Sequence, residues 1–422
     1  MPRISAPRGT ADILPGESWK WQAVEGIARD WAGRYHFQEI RTPIYEHTEL
    51  FHRGVGQTTD IVQKETFTFR PRPESESITL RPEGTAGVVR AAIEHGLIAQ
   101  EGARVKVYYL GPNFRYERPQ KGRLRQHHQF GVETFGIAEP DADVECILLQ
   151  MDFYRACGVK DLELQVNSLG DSASKQHYRD RLREFLSPRA ARLSEDSQRR
   201  LAENPLRILD SKDPRDVEAT ADVPPAIECL SDRSRQHFEA VQKLLTQSGV
   251  PFKVNPRLVR GFDYYTDTLW EVVAGGLGAQ NALGGGGRYD NLVETLGGRA
   301  TPGVGFGSGL ERLLLALESQ GVQLPRRDRP LVWLVAHGDA ARALLWQIQQ
   351  QLRAAGFPAD MDYSGRSVKA QFKMADREKA RWCVILGENE LSAGTVVLKD
   401  LSSGEQTAIA KDHLVAHLGS TL

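Results

Sequence analysis

The sequence predicts a protein that combines α-helices and β-strands in two or three domains, on three observations. The apolar run at residues 105–110 is typical of a buried strand, and residues 129–135 can form its antiparallel partner. Dense charges and helical patterning dominate residues 171–248, which indicates a mostly helical inserted module. Strand-like and helical segments alternate after Pro330, as in a small α/β domain. A chain of 422 residues has room for two or three such domains.

The N-terminal segment predicts an amphipathic helix over residues 17–35. Val24, Ala28 and Trp31 recur there at helical spacing, and Pro15 stands just before the segment. We expect their shared face to pack against the rest of the domain.

The C-terminal segment predicts a separate small domain. A polar stretch with two prolines at residues 323–330 indicates a linker. Residues 331–336, 382–386 and 395–398 read as strands, and residues 340–355 read as a helix. This alternation favours a mostly parallel sheet.

The composition is that of an ordinary soluble globular protein, with 40% hydrophobic and 26% charged residues. The four cysteines form no CxxC pair, so neither a zinc site nor a disulfide framework is predicted. The first residues lack the apolar core of a secretory signal, and no run reaches the roughly 18 apolar residues of a membrane span. We therefore expect a cytoplasmic protein without a membrane partner. A net charge of −1 argues weakly against a nucleic-acid partner, although a local basic face can be offset by acids elsewhere.

A basic loop lies between the two strands that the sequence places at residues 105–110 and 129–135. Its arginines can bind phosphate oxygens with two hydrogen bonds each. Gln129 and Glu133 are four residues apart, so both side chains point to one face of their strand. A solvated hairpin with surface arginines explains the same pattern about equally well.

Two further segments carry polar residues next to turns. In residues 257–266 an arginine beside a glycine precedes Tyr264 and Tyr265, which can close a small pocket or simply pack in a core. In residues 79–85 a predicted strand ends at Glu83 and Thr85. These two residues can bind an ammonium group or cap the following helix.

Two glycine-rich segments follow. Four glycines in residues 283–290 allow close approach of the backbone to a ligand, although a flexible loop is the default explanation. In residues 302–312 alternate glycines precede a predicted helix with Arg312 in its first turn, where phosphate is favoured. A surface arginine is the simpler alternative, and neither segment is a P-loop or a dinucleotide fingerprint. From the residues alone we predict a site for an anionic ligand and a polar small molecule, without a named reaction.

Taken together, these segments resemble the histidyl-tRNA synthetases, a family of class II aminoacyl-tRNA synthetases. Residues 115–117 and the following loop resemble motif 2, residues 303–312 resemble motif 3, and residues 41–44 resemble motif 1 at the dimer interface. Residues 260–266 and 283–290 resemble segments restricted to the histidine branch.

The resemblance implies an α+β fold in which an antiparallel sheet of the class II synthetase type is flanked by helices. It implies a catalytic domain at residues 1–325 with a helical insertion at residues 171–250. It also implies a C-terminal α/β anticodon-binding domain at residues 326–422, and a homodimer.

The resemblance also implies an activity and its residues. The expected enzyme activates L-histidine with ATP and Mg²⁺ and then transfers histidine to tRNA(His). Catalysis is expected from Arg260, Arg115, Gln129 and Glu83. Histidine would contact Glu83, Thr85, Arg115, Gln129, Glu133, Arg260, Tyr264 and Tyr265. ATP would contact Arg115, Glu117, Arg123, His127 and Arg312, and the tRNA acceptor end would contact Arg118 and Gln120. No side chain is assigned as a metal ligand.

One residue departs from the family pattern. His127 stands where the family typically has a phenylalanine beneath the adenine. Imidazole can still stack there, so we hypothesise that adenine binding is weaker or depends on pH.

The main alternative is a non-catalytic relative of these synthetases, the histidine-sensing regulatory subunit of ATP phosphoribosyltransferase. That relative characteristically lacks the C-terminal domain and loses catalytic arginines. Here the segment after Pro330 and Arg260 are both present, which favours the enzyme.

Overall fold

The computed structural model describes residues 3–56, 59–275, 281–326 and 330–421. The chain forms two compact units, unit 1 at Met1–Arg326 and unit 2 at Arg327–Leu422. Part of the linker predicted at residues 323–330 lies outside the described residues.

The first half of unit 1 begins with the predicted amphipathic helix, which is confirmed. Its elements are α1 (Pro15–Arg34), β1 (Gln38–Glu39), β2 (Tyr45–His47), α2 (Thr48–Gly54), α3 (Asp60–Lys64), β3 (Phe67–Phe69), β4 (Ile78–Leu80), α4 (Thr85–Glu94), β5 (Val105–Phe114), β6 (Gln126–Phe135), α5 (Pro140–Ala156) and β7 (Leu162–Ser168). The predicted hairpin is also confirmed, because β5 and β6 pair antiparallel with Tyr109 opposite Gly131.

The segment after β7 is helical, as its charge pattern predicts. It contains α6 (Ser172–Leu186), α7 (Glu195–Glu203), α8 (Pro214–Ala219) and α9 (Asp232–Gln247), joined by short 3₁₀ helices at Ser187–Arg192, Pro205–Ile208 and Ala226–Cys229. Short serine and aspartate caps begin several of these helices. In α6, for example, Asp171 accepts a hydrogen bond of 2.9 Å from the Ser174 amide.

Strands then return to complete unit 1. They are β8 (Phe252–Val254), β9 (Thr266–Ala274), β10 (Ala282–Arg288) and β11 (Gly303–Gly309), with helices α10 (Leu292–Thr295) and α11 (Leu310–Ser319). Within the described residues, eight strands form one sheet in the order β1-β5-β6-β11-β10-β9-β7-β8. The five inner pairings of the sheet, from β5–β6 to β9–β7, are antiparallel, and the outer pairings β1–β5 and β7–β8 are parallel.

The two faces of this sheet differ in what covers them. One face packs on α1, α5, α9 and α11 through a large core that includes the fully buried Phe130 and Val132 of β6. The other face meets α4 and α6 through a second core that includes Tyr109. Because side chains alternate along a strand, Gln129, Gly131 and Glu133 lie on this second face.

Unit 2 is a small α/β domain, as predicted. Its elements are β12 (Val332–Ala336), α12 (Asp339–Ala354), β13 (Ala359–Met361), α13 (Val368–Arg377), β14 (Trp382–Leu386), α14 (Glu388–Ala393), β15 (Thr395–Asp400), β16 (Gln406–Ala410) and α15 (Leu414–Ser420), with a 3₁₀ turn at Lys411–His413.

The prediction of a mostly parallel sheet in unit 2 is wrong. β12 pairs parallel with β13 and β14, but β15 pairs antiparallel with β14 and β16. The short helix α14 and the turn after β15 reverse the chain too quickly for a parallel crossover, which needs a dozen or more residues.

None of the helices in the described part of the chain combines the length and the apolar character that crossing a bilayer requires.

Candidate active site

A cavity of about 360 Å³ lies on the face of the large sheet that carries Gln129. Strands β10 and β11, the segment before β9 and the first turn of α11 surround it. Among the predicted site residues its wall contains Glu83, Thr85, Arg115, Glu117, Arg123, His127, Gln129, Arg260, Tyr264, Tyr265 and Arg312. Segments far apart in sequence are therefore brought to one place.

Glu83 and Thr85 stand where the chain enters α4. The Glu83 carboxylate accepts hydrogen bonds from the amides of Thr85 (2.6 Å) and Ala86 (2.8 Å). Capping of the helix, one of the two interpretations, is thus observed. A carboxylate has about four acceptor positions, so Glu83 keeps capacity for a further donor from the cavity.

Glu133 lies behind the cavity wall with only 1% of its surface exposed. Its carboxyl accepts hydrogen bonds from the hydroxyls of Thr85 (2.7 Å), Tyr109 (3.3 Å) and Tyr289. Burial raises the pKa of Glu133 to about 8, although these hydroxyls oppose the rise. The group is therefore a protonated acid near neutral pH, able to donate or accept a hydrogen bond.

The aromatic side chains after Arg260 pack on one another at the edge of the cavity. The rings of Phe262 and Tyr264 stack at 5.2 Å, and those of Tyr264 and Tyr265 lie 4.7 Å apart. Tyr264 also meets Tyr289 edge to face at 5.6 Å. Ordinary aromatic packing and a place in the cavity wall, which the sequence offers as alternatives, are both present.

Five arginines line the cavity, and three of them, Arg115, Arg260 and Arg312, are held by neighbours. Arg115 donates from Nε to the Pro82 carbonyl at 2.8 Å, and Arg312 donates to the Ala282 carbonyl at 2.6 Å. Arg260 pairs with Glu271 at 2.9 Å, and its Nε is buried without a partner among the described residues. Three guanidinium groups held in place make this cavity suited to an anion.

The motif 2 loop divides between the cavity and the solvent. Arg123 pairs with Glu117 at 3.2 Å, and both line the cavity. Arg118 and Gln120 lie outside the cavity wall and are exposed on the loop. The Gln120 and Arg123 backbones bond to each other in a tight hairpin. A solvated hairpin, the alternative interpretation, therefore describes only the tip of this loop.

His127 lines the cavity as a neutral imidazole. Burial, together with the charge of Arg115, lowers the pKa of His127 to about 3. This lowered pKa argues against the hypothesis that adenine binding depends on pH near neutrality, which stays a prediction to be tested.

The four glycines of the segment at residues 283–290 lie in strand β10 (Ala282–Arg288), so the interpretation of this run as a flexible loop is wrong. A Cβ at Gly285 would lie 2.9 Å from the Arg260 guanidinium, and a Cβ at Gly305 of β11 would overlap the Glu133 carboxylate. The glycines are required by this close approach. Arg288, at the end of β10, points away from the cavity to a fully buried ion pair with Asp143.

Sequence reasoning missed several residues of the cavity. Tyr109, Tyr289 and Glu271 line its wall, and the helical insertion contributes Arg207 and Asp210. Tyr109 could have been found from the predicted hairpin, because Tyr109 pairs with Gly131 there and a large ring opposite a glycine indicates a tightly packed position. Nothing in the local pattern around Arg207 sets it apart from the many other arginines of the insertion.

Comparison with known proteins gives a consistent result. A family model described as histidyl-tRNA synthetase matches residues 9–313, and a model described as an anticodon binding domain matches residues 331–421. A protein of Geobacillus sp. (strain WCH70) named histidine–tRNA ligase is 50% identical to this chain, and the match covers 99% of both chains. A protein of Thermosynechococcus vestitus with the same name is also 50% identical, over 98% of this chain and 96% of the relative.

A solved structure supports the same relationship. The apo histidyl-tRNA synthetase of S. aureus matches with a TM-score of 0.83 and 37% identity, over 99% of this chain and 100% of that one. The chain therefore belongs to the histidyl-tRNA synthetase family.

Proposed function

We propose that this chain is a histidine–tRNA ligase, which forms histidyl-adenylate from L-histidine and ATP and then esterifies histidine onto tRNA(His). The observation that carries the proposal is one cavity, lined by five arginines, in which a buried carboxyl group lies behind a tyrosine cluster. Relatives with the name histidine–tRNA ligase match it over nearly the whole chain.

Histidine would occupy the part of the cavity near α4. Glu83, Thr85 and Gln129 would hold its ammonium group, since the Glu83 carboxylate and the Gln129 carboxamide both face this space. Glu133 and Tyr264, with Tyr265 beside them, would bond the imidazole nitrogens. A ligand without those nitrogens would leave buried polar groups unpaired, so the site would reject it strongly.

ATP would occupy the arginine-rich part. Arg115 would bridge the histidine carboxylate and the α-phosphate, and Arg260 would stabilise charge at the α-phosphate. Glu117, Arg123 and Arg312 would position the base and the outer phosphates. His127 would lie under the adenine as a neutral ring. Fixed guanidinium groups suit a reaction in which positioning and charge matter most.

The chemistry follows from this placement. A histidine carboxylate oxygen attacks the α-phosphorus, the bond to the bridging oxygen breaks, and pyrophosphate leaves. In the second step a hydroxyl at the tRNA 3′ end attacks the activated carbonyl and AMP leaves. In this proposal Arg115 and Arg260 contact the reacting groups, and Gln129 and Glu83 hold the substrate through its ammonium group; these four are its catalytic residues.

Mg²⁺ would enter with ATP and neutralise charge on the outer phosphates. Such an ion takes most of its ligands from phosphate and water and needs one or two carboxylates. Glu117 and Glu271 in the cavity wall suit that need.

The tRNA would contact two parts of the chain. Arg118 and Gln120 on the exposed loop tip would meet the acceptor end. Residues 326–422 would bind the anticodon, and residues 1–325 would form the catalytic domain with its helical insertion at 171–250. Sequence-specific recognition of RNA commonly uses unpaired bases such as those of an anticodon.

We also propose a homodimer in the cytoplasm. Ile44 of the motif 1 segment is 44% exposed, and Tyr45 of β2 and Phe69 of β3, which belong to the same small sheet, are 54% and 47% exposed. Large apolar side chains grouped at the surface are typical of an interface. A twofold pairing of this segment with its own copy would cover them.

The experiment that tests the function is histidine-dependent exchange between ATP and pyrophosphate. We expect exchange in the wild type, a loss of about 10²–10³ in Arg260→Ala, and wild-type rates in the control Arg29→Ala. Arg29 is an exposed arginine that pairs with Glu25 far from the cavity. No exchange from folded wild-type protein would contradict the ligase and favour the histidine-sensing regulatory subunit.

A further inference from the structure

A second cavity, of about 320 Å³, lies on the other side of Tyr264. Tyr264 lines both cavities. The end of α2, the first turns of α6, helix α10 and the segment before β9 surround the second cavity. The proposed reaction makes no use of it.

The wall of this cavity is rich in positive charge. Arg53 of α2 and Lys175 and Arg179 of α6 line it, and Asp263 is the acidic residue among its described lining. Ser172, Lys175 and Arg179 are spaced at three and four residues, so they share one face of α6. The cavity also lies at the N-terminal end of this 15-residue helix, where the backbone adds partial positive charge.

Two of these cations already have protein partners. Lys175 is 8% exposed and donates to the carbonyls of Asp263 and of Tyr265, the latter at 3.0 Å. Arg53 pairs with Glu49. The Asp263 carboxylate accepts a hydrogen bond of 2.7 Å from Asn204.

Arg179 differs from them. In the part of the chain that the structure describes, its guanidinium makes no hydrogen bond or ion pair, and its Nε is buried without a partner. A buried polar group without a partner is costly, and such groups usually have a ligand or water in the functional state. Arg179 is half-buried and lines the cavity, so the rest of its guanidinium, which has no protein partner among the described residues, is placed to bind an anion there.

The remaining lining consists largely of small polar groups. Ser172, Asn291 and Thr295 are exposed at the rim, and the Asn291 amide donates to Ser172 at 2.9 Å. Thr266 is buried at the floor with Lys175. The cavity is thus open to solvent at one end and has donors on several sides, which suits a small, highly charged ligand rather than an apolar one.

We propose that this cavity is a second ligand site that binds a small tetrahedral oxyanion of the phosphate class. The Arg179 guanidinium binds two of its oxygens, the third Lys175 hydrogen binds another, and Ser172 and Arg53 close the rim. Arginine forms such paired hydrogen bonds with phosphate readily. The proposal does not depend on the ligase activity.

The same chemistry is offered by free phosphate and by a phosphodiester of bound RNA. We commit to the free ion, because the cavity lies between α2, α6 and α10 and is walled on several sides. Measurements of phosphate binding and of tRNA binding distinguish the free ion from the RNA phosphodiester.

Titration calorimetry with inorganic phosphate on the full chain gives the first test. The variants are Arg179→Gln and the control Arg181→Gln, a partly exposed residue on the same helix that does not line the cavity and lies 3.9 Å from Glu228. Neither variant changes a residue of the first cavity, so any phosphate that binds there contributes equally to the isotherms of all three proteins. We expect wild type and Arg181→Gln to share a site whose affinity falls about tenfold or more in Arg179→Gln. Identical isotherms in all three proteins would overturn the proposal.

Diffraction from crystals soaked in selenate gives a second test, which holds even if the variant folds poorly. We expect an anomalous peak between Arg179 and Lys175 in the wild type, and its absence there would contradict the site. If Arg179→Gln weakens tRNA binding while phosphate binding is unchanged, the anion is a phosphodiester and the free-ion proposal is wrong.

Discussion

The hydroxyl of Thr85 donates a hydrogen bond of 2.7 Å to the carboxyl of Glu133, which links the start of α4 to the middle of β6. The two residues are 48 positions apart in sequence. This bond fixes the buried acid against the wall of the first cavity, beside the place proposed for the histidine side chain.

Glu133→Gln should change how stability depends on pH. Burial raises the pKa of Glu133 from its ordinary value of 4.5 to about 8, so the folded protein keeps a proton that the unfolded chain loses in this range. This group therefore contributes stability at low pH that declines by about 1.4 kcal/mol per pH unit as pH rises through the window. Urea unfolding of both proteins between about pH 5 and pH 8 measures the difference. Parallel curves would contradict the raised pKa.

Asp143→Asn should destabilise the fold by up to about 3–5 kcal/mol, because it removes one of the two carboxylates paired with the buried Arg288 and leaves only Asp290, at 3.2 Å. Burial alone would raise the pKa of Asp143, but the Arg288 charge outweighs it and lowers the pKa to about 2. The wild-type contribution is therefore complete above the ordinary value of 3.8 and is lost as pH falls towards 2. The control Glu25→Gln, in an exposed pair with Arg29, should cost less than about 1 kcal/mol by chemical unfolding.

Titration of His127 should contribute no change in the KM for ATP between about pH 5.5 and 8, because that imidazole stays neutral in this range. Its pKa is lowered to about 3 by burial and by the nearby arginines. Pyrophosphate exchange measured across this range, with His127→Phe beside wild type, is the check. A KM that varies with pH in the wild type and is constant in His127→Phe would show that the ring titrates after all.

Gly305→Ala should reduce histidine affinity and cost about 1–3 kcal/mol of stability, since the new Cβ would overlap Glu133. The matched control is Gly26→Ala in α1, where nothing lies within 4 Å of the new Cβ. That control should stabilise the protein by about 0.5–1 kcal/mol. Thermal unfolding and calorimetric titration with histidine compare the two variants. Equal stability and equal histidine affinity would mean that the strand shifts to accommodate the new methyl group, against this prediction.

Local patterns were enough to predict much of the fold. Helical spacing identified α1, and alternation placed Gln129 and Glu133 on one face of β6. Interactions over long sequence distances could not be predicted in this way. The Arg288–Asp143 pair and the Tyr289–Glu133 hydrogen bond join residues 145 and 156 positions apart. The glycine run at residues 283–290 also misled, because a glycine such as Gly285, which makes room for Arg260, looks locally like part of a flexible loop.

The strands β10 and β11 make one wall of the first cavity out of backbone rather than side chains. When an inhibitor contacts a side chain, a single substitution of that residue can change the shape of the binding surface and weaken the inhibitor's affinity. Here a side chain introduced at Gly285 or Gly305 would clash with Arg260 or Glu133, so the substitution would damage the site itself as well as the contact with the inhibitor. We therefore expect few substitutions in this wall that weaken such a compound and also preserve the enzyme.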